Sequence, residues 1–292
     1  MIPLDDYSHG RGGVSLIDHN NLEEFADPIN YDLADPSDTG VAFYSALARE
    51  TGGPVLELAC GTGRVTIPIS RSGFAVTGLD IVPGMLERAR SKATGLPVRW
   101  VEGDARSFDL GEKFRLIFVT GNAFQAFVTN AEQSAVLRCV HAHLHSDGLF
   151  AFEIRNPLLP NAMIPPGFFL TLETRSEQQT RSSFINADGN QVRIATTQVY
   201  DHVEQVVHVT AYKRWTEGAE ERTTSARTAL RYTFPQELAL LLNCHGFTVL
   251  RQYGDWNGEP LTAVSPSIIS VCQKRPARFY PDASPTVEEA LK

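Results

Sequence analysis

Ten residues, Val55-Leu56-Glu57-Leu58-Ala59-Cys60-Gly61-Thr62-Gly63-Arg64, constrain this chain more than any others. A continuous apolar run enters a turn of small residues and leaves it as a helix. Such a run suits a strand buried on both faces. Glycines let the turn take positive φ and bring the backbone close to a ligand, at which the free N–H groups of the following helix start then point. Strand, turn and helix in this order place a nucleotide-type site at the carboxyl end of a parallel sheet.

Charge narrows what that site would hold. A dinucleotide turn reads G-x-G-x-x-G, and the third position here is Thr66. Glu57, inside the leading strand, would repel a pyrophosphate. It suits a ligand carrying an ammonium and a sulfonium. A nicotinamide-dependent oxidoreductase on a similar sheet is therefore disfavoured.

The rest of the first half repeats the strand-helix rhythm. Apolar runs at Pro54–Ala59, Ala75–Leu79, Val98–Val101, Phe114–Val119 and Leu149–Ile154 alternate with helical patterns at Arg64–Ser72, Pro83–Lys92 and Ala131–His145. Alternation of this kind predicts βαβ units and a parallel sheet with helices on both faces. Before it, Asn21–Glu50 reads as helix broken by Pro28 and Pro36, with Asp38 or Thr39 capping the last piece. After Pro157 the period changes to two. The stretch Thr171–Tyr232 is rich in Thr, Val, Arg and Tyr, and Asp188-Gly189 is a hairpin turn signal. Helix returns at Phe234–Cys244, and Gly246–Arg251 and Ile268–Gln273 read as closing strands. The expectation is a flexible arm over 1–20, an α/β core over 21–157 and 233–275, an inserted antiparallel β cap over 158–232, and a flexible tail over 276–292.

Two later positions sharpen the site. Asp80 ends the second strand about 20 residues on, where a carboxylate accepts from ribose hydroxyls. Glu102-Gly103-Asp104-Ala105 ends the third strand and offers an acceptor for an exocyclic adenine amine. Each carboxylate is also a plausible turn or helix cap.

Taken together, Glu57-x-Ala59-x-Gly61-x-Gly63, Gly78-Leu79-Asp80 with Met85-Leu86, Gly103-Asp104-Ala105 and Phe114-Arg115-Leu116-Ile117-Phe118 resemble successive motifs of the class I S-adenosylmethionine-dependent methyltransferases. The resemblance covers roughly Phe43 to Pro157 and recurs in the last helix and strands. It implies a Rossmann-like fold with a seven-stranded, mostly parallel sheet and S-adenosylmethionine as cofactor. By the same resemblance Glu57 and the turn Ala59, Gly61 and Gly63 hold the methionine end, and Asp80 takes the ribose. Ile81 and Met85 flank adenine, Asp104 and the Ala105 amide read it, and Tyr31 and Arg64 reach the methionine carboxylate. Gly121, after the fourth strand, joins the cofactor-binding set. The sequence departs from the pattern at Ala59, where a first glycine is usual, and at Val82, where a serine often caps the next helix.

Methyl transfer from a sulfonium is an in-line displacement that depends mainly on alignment and exclusion of water. A base matters only for an acceptor that arrives protonated. Candidate acceptor-side residues are Asn122 and Gln125 with Phe124 after the fourth strand, and Glu153 and Arg155, expected to point apart, on the fifth. His208, Tyr212, Trp215 and Trp256 complete the set. The Asn/Asp-Pro-Pro-Tyr signature of base-methylating relatives is missing. His141, His143 and His145 sit where the dipole of a helix C-terminus favours histidine, and no metal is expected.

Net charge is -8 over 292 residues, which disfavours a phosphate backbone as partner. From Thr171 to Arg231 eight basic residues meet eight acidic ones, with no basic stripe. The acceptor expected is a small molecule methylated on N or O; an RNA or protein acceptor, or cofactor binding without turnover, is the alternative. The four cysteines form no metal or redox motif. Residues 1–20 lack the apolar core of a signal peptide, and no apolar run approaches the ~18–20 residues of a membrane span. A cytoplasmic protein with no membrane association is expected.

Overall fold

A computed structural model describes residues 21–158 and 172–275. The expected flexible arm and tail, and part of the expected cap boundary, lie outside these residues. Seven strands build the main sheet: β1 (Val55–Leu58), β2 (Val76–Asp80), β3 (Val98–Glu102), β4 (Phe114–Val119), β5 (Leu144–Arg155), β10 (Phe247–Tyr253) and β11 (Ser267–Lys274). Their order is β10-β11-β5-β4-β1-β2-β3. β1 pairs in parallel with β2 on one side and β4 on the other, whereas β11 runs antiparallel to both neighbours. Chain order therefore reverses at β1, and the loops leaving β1 and β4 diverge there. That crevice is where an open α/β sheet can take a ligand.

Every residue of β1 and β2 is buried. Leu56 and Leu58 face one core layer with Phe124, Leu137, Phe150 and Phe152, under α5 (Asn130–His143) and α6 (Pro235–Cys244). Val55 faces the other layer with Tyr44, Leu47, Val65, Ile69 and Phe118, under α2 (Val41–Thr51) and α3 (Thr66–Arg71). Burying each large apolar side chain contributes roughly 1.5–3 kcal/mol. Period-two alternation sends Glu57 to the same side as Val55, toward the α3 layer.

Local signals set the helix starts. Thr129 and Glu132 form a reciprocal capping box on α5, and α4 (Pro83–Lys92) begins on proline with Asp80 Oδ1 accepting from the Val82 N–H at 2.9 Å. Among the boundaries that differ from expectation, three have a clear local reason. α3 starts at Thr66 rather than Arg64, because Arg64 and Val65 still belong to the turn. Neither Asp38 nor Thr39 caps α2; Gly40 holds that position at φ 81°, and a Cβ there would meet the Trp256 ring at 3.2 Å. β5 begins at Leu144, so His145 lies in a strand rather than a helix.

The insertion between β5 and α6 is a four-stranded antiparallel sheet of β6 (Arg175–Ile185), β7 (Gln191–Asp201), β8 (Val206–Glu217) and β9 (Glu220–Arg231), paired in chain order. The β6–β7 turn centres on Gly189 at φ 83°, with Asn186 Oδ1 accepting from the Asp188 and Asn190 N–H groups. Part of the outer edge of β9 is covered by the chain before α1 (Pro28–Ala34). Asn21 bonds both backbone groups of Ala229, and Glu23 accepts from the Arg227 N–H at 2.8 Å. These bonds satisfy the β9 edge at Arg227 and Ala229, while its residues 220–225 stay exposed.

Arg231 ties the second sheet to α6 and to the loop before α5. Its buried guanidinium donates to Glu237 Oε1 on α6 at 2.6 Å, to Gln205 at 3.3 Å and to the Val128 carbonyl at 3.4 Å, while Gln125 bonds its backbone carbonyl. Arg231→Ala leaves these acceptors without their donor. It is expected to destabilise the protein by about 2–3 kcal/mol, measured as a fall in urea midpoint at unchanged m-value.

Candidate active site

The turn after β1 is shaped by three residues at positive φ: Ala59 at 53°, Gly61 at 55° and Gly63 at 79°. A Cβ on Gly63 would lie 2.7 Å from the Trp100 ring, and one on Gly61 would lie 3.3 Å from Met85 Cε. Gly63 is therefore required by space as well as by φ, and Gly61 by φ, since the flexible Met85 tip could yield to a side chain there. Ala59, which replaces the expected glycine, adopts the left-handed conformation at a cost of about 1 kcal/mol. The Gly61 N–H is held at 2.7 Å by Asp80 Oδ2. Asp80 thus ties the turn to Val82, the residue before α4, through an Asx turn; it does not cap α4, which has no side-chain cap bond. Burial raises the pKa of Asp80.

Glu57 is buried beneath the turn and accepts a hydrogen bond from the Thr66 hydroxyl. Desolvation pushes its pKa up to about 8, against the opposing influence of Thr66 and the positive charge of Arg64, while Glu153 adds repulsion. Arg64 donates to the Thr39 carbonyl at 2.6 Å, and its charge also acts on Glu153 and on Tyr31. The Tyr31 hydroxyl feels Asp80 as well, and burial pushes it up to about 12. Tyr31, Glu57, Arg64, Asp80 and Glu153 therefore form one electrostatic neighbourhood at the switch point.

Glu153 sits below the loop after β4. It accepts from Tyr44 Oη at 2.6 Å, from the Asn122 N–H at 3.1 Å and from Thr120 Oγ1 at 3.3 Å, and burial raises its pKa. Gly121 at φ 69° and Asn122 at φ 57° are held in the left-handed region above it. Among the described residues nothing bonds the buried Oδ1 of Asn122. Glu153 and Arg155 do not point apart: residues two apart on a strand share a face, and the two charges act on one another. Gln125 Oε1 accepts from the Arg155 backbone and guanidinium at 3.1 and 3.3 Å. Gln125 is thus a strut between β5 and β9, and Phe124 is fully buried against Phe152.

Asp104 is engaged by the Arg106 backbone and guanidinium at 2.7–3.0 Å, which holds its carboxyl below the usual range. Ala105 and Met85 are buried and Ile81 is 40% exposed. His208 is half-buried in β8 opposite Val199 and Ala229. Trp256 packs in the core against Phe43 and Tyr44. Tyr212 lies under the Arg214 guanidinium, and Trp215 is near the β8–β9 hairpin end. His143 bonds the Cys139 carbonyl and the Leu110 N–H, and among the described residues no three metal-ligating side chains converge.

Sequence reasoning missed Tyr44, Thr66, Arg106 and Asp32. Asp32, on α1, accepts from Thr62 in the turn at 2.5 Å and from Arg88 and Lys92 on α4, both at 2.9 Å. Only the Arg88/Lys92 spacing on one helix face hinted at a shared acidic partner.

Residues 55–148 match a sequence-family model described as a methyltransferase domain. The cypemycin N-terminal methyltransferase of a Streptomyces species is 24% identical over 80% of this chain and 89% of its own length. The dTDP-3-amino-3,6-dideoxy-α-D-glucopyranose N,N-dimethyltransferase of Streptomyces fradiae is 29% identical over 48% of this chain and 54% of its own. Among solved structures, the CcbJ methyltransferase of Streptomyces caelestis aligns with a TM-score of 0.70 at 24% identity, over 87% of this chain and 98% of that one. CalS10 of Micromonospora echinaspora, an amino pentose methyltransferase solved with S-adenosylmethionine bound, gives 0.64 at 21% identity over 84% and 94%. Residues 55–148 carry a methyltransferase domain, and the chain has the fold of solved S-adenosylmethionine-dependent methyltransferases. No helix among the described residues is long and apolar enough to cross a membrane.

Because Glu57 is protonated up to about pH 8 when folded but ionises near 4.5 when unfolded, the unliganded protein loses stability as pH rises between those values. The slope is at most ~1.4 kcal/mol per pH unit. Glu57→Gln removes that loss. Its melting temperature relative to the parent is expected to rise from pH 5 to pH 8 and then level off, as scanning calorimetry without ligand would show.

Proposed function

We propose that this enzyme methylates an amine nitrogen of a small-molecule acceptor, with residues 158–232 acting as a cap over the acceptor. The observation that carries the reading is the neighbourhood at the switch point. A buried carboxylate precedes a positive-φ glycine turn, a second carboxylate braces that turn, and an arginine and a tyrosine stand beside them. That donor set fits a ligand with an ammonium and a carboxylate at one end. S-adenosylmethionine supplies an electrophilic methyl on a sulfonium. Glu57 and the turn Ala59, Gly61 and Gly63 would hold its methionine ammonium, and Tyr31 and Arg64 its carboxylate. Asp80 would take the ribose through its remaining acceptor capacity. Ile81, Met85, Asp104 and Ala105 would enclose the adenine, with Gly121 on the opposite wall.

The raised pKa of Glu57 matters for binding. A cationic group beside it favours the carboxylate, so binding below pH 8 expels a proton and affinity rises with pH up to that value. On the acceptor side, Glu153 is a positioning residue: its bonds to the Gly121–Asn122 loop hold Asn122 in the left-handed region. Asn122 then offers an amide to orient the acceptor, with Arg155 and His208 as further candidates at the junction with the second sheet. The amine preference is supported by similar proteins, among them an N-terminal methyltransferase, an amino-sugar N,N-dimethyltransferase and an amino pentose methyltransferase. The balanced charge of the second sheet supports a small molecule over a nucleic acid.

Radiolabelled methyl from S-adenosylmethionine, incubated with the enzyme and a cell extract fractionated by size, is expected in small amines. Label confined to RNA or protein would overturn the acceptor class. Asp80→Ala is expected to weaken S-adenosylhomocysteine binding by roughly 1–3 kcal/mol in a variant that calorimetry shows to be folded; unchanged affinity would overturn the ribose assignment.

A further inference from the structure

Helix α1 has seven residues and buries none of them fully. A helix that short does not persist in water by its own propensity, so its attachments decide where it lies. Pro28 packs near Gly84, and Asn30 Oδ1 accepts from the Ala187 N–H at 3.1 Å. Every other described polar tie from the helix body to the α/β core converges on one carboxylate. Asp32 Oδ1 accepts from Thr62 Oγ1 at 2.5 Å and Lys92 Nζ at 2.9 Å, and Oδ2 accepts from Arg88 Nε at 2.9 Å and Lys92 Nζ at 3.0 Å. Lys92 Nζ also donates to Thr62 Oγ1 at 3.0 Å, closing a ring. Thr62 is itself buried in the glycine turn. Despite its desolvation, these donors hold the Asp32 carboxyl below the usual range.

We propose that Asp32 is a positioning residue that latches α1 onto the glycine turn and thereby fixes Tyr31 across the cofactor site. Asp32 and Tyr31 are consecutive on the helix, about 100° apart: one side chain grips the turn and α4 while the other stands beside Arg64 and Asp80. The inference rests on the proposed cofactor site for its consequence, but not for the latch itself. Releasing the carboxylate frees α1 and Tyr31 while leaving both apolar core layers untouched, so retention of ligand falls without loss of the fold. Partly exposed ion pairs are also screened by salt, which makes retention salt-dependent.

Two measurements test this on the full chain. In the unliganded protein, hydrogen exchange of peptides spanning 28–35 is expected to accelerate in Asp32→Asn and, less strongly, in Lys92→Met, with β1, β4 and β5 unchanged. Adding salt is expected to accelerate the same peptides in the parent and not in Asp32→Asn. Separately, Asp32→Asn is expected to raise the Kd for S-adenosylhomocysteine about tenfold through a faster off-rate and to remove its salt dependence. It should raise KM for S-adenosylmethionine more than it lowers kcat. Parent-like exchange in both variants overturns the latch, as does exchange that rises throughout the sheet in both. Faster α1 exchange with parent-like Kd and salt dependence overturns its effect on retention. Failure of the parent to bind S-adenosylhomocysteine overturns the proposed site, while the exchange measurement still decides the latch.

Discussion

β1 is hydrogen-bonded on both edges and buried on both faces, and the rest of the molecule is arranged around that condition. A strand so enclosed reaches water only at its ends. Reversal of chain order between β2 and β4 opens a gap at its carboxyl end, and the small-residue turn fits into it. Trp100 packs so close to Gly63 that no side chain fits there, and Asp80 holds the Gly61 N–H. The backbone of the turn and the buried Glu57 beneath it therefore sit at one place in the sheet.

That place is electrostatically expensive. Glu57, Asp80 and Glu153 all have their pKa raised by desolvation, and Arg64 is the cation shared between Glu57 and Glu153. A protein that needed only stability would do better with apolar groups there. Each carboxylate instead accepts from backbone or hydroxyl donors that determine loop shape. Asp80 pins the β1 turn to Val82, just before α4, and Glu153 pins the β4 loop to α2 through Tyr44. Acidic side chains that are costly to bury are thus used to fix the shape of two loops at the switch point.

The elements around the sheet are attached largely by polar groups. Arg231 and Gln125 join the second sheet to the α/β core, Asn21 and Glu23 cover part of the β9 edge, and Asp32 holds α1 on the glycine turn. Their strength differs with burial: the buried Arg231 ties cost more to break than the partly exposed Asp32 ion pairs.

The central strands, the helices between them, the glycine turn and the antiparallel insertion were legible in the sequence, because each is encoded by a period or a spacing within about ten residues. Glu57, Gly61, Gly63 and Asp80 were recognisable for the same reason: strand ends mark their positions. What the chain order could not reveal are partners brought together across the fold. Tyr44 meets Glu153 from 109 residues away, and Asn21 meets Ala229 from 208. Asp32 meets Lys92 from 60. Gln125 and Phe124 looked like ligand contacts in sequence and became a strut and a core residue. Local sequence determined which segments are strands, turns and helices, since backbone sterics and apolar periodicity act over a few residues. Only the tertiary structure decided which polar groups face one another, since a buried donor or acceptor takes whatever partner the packed sheets bring within about 3 Å.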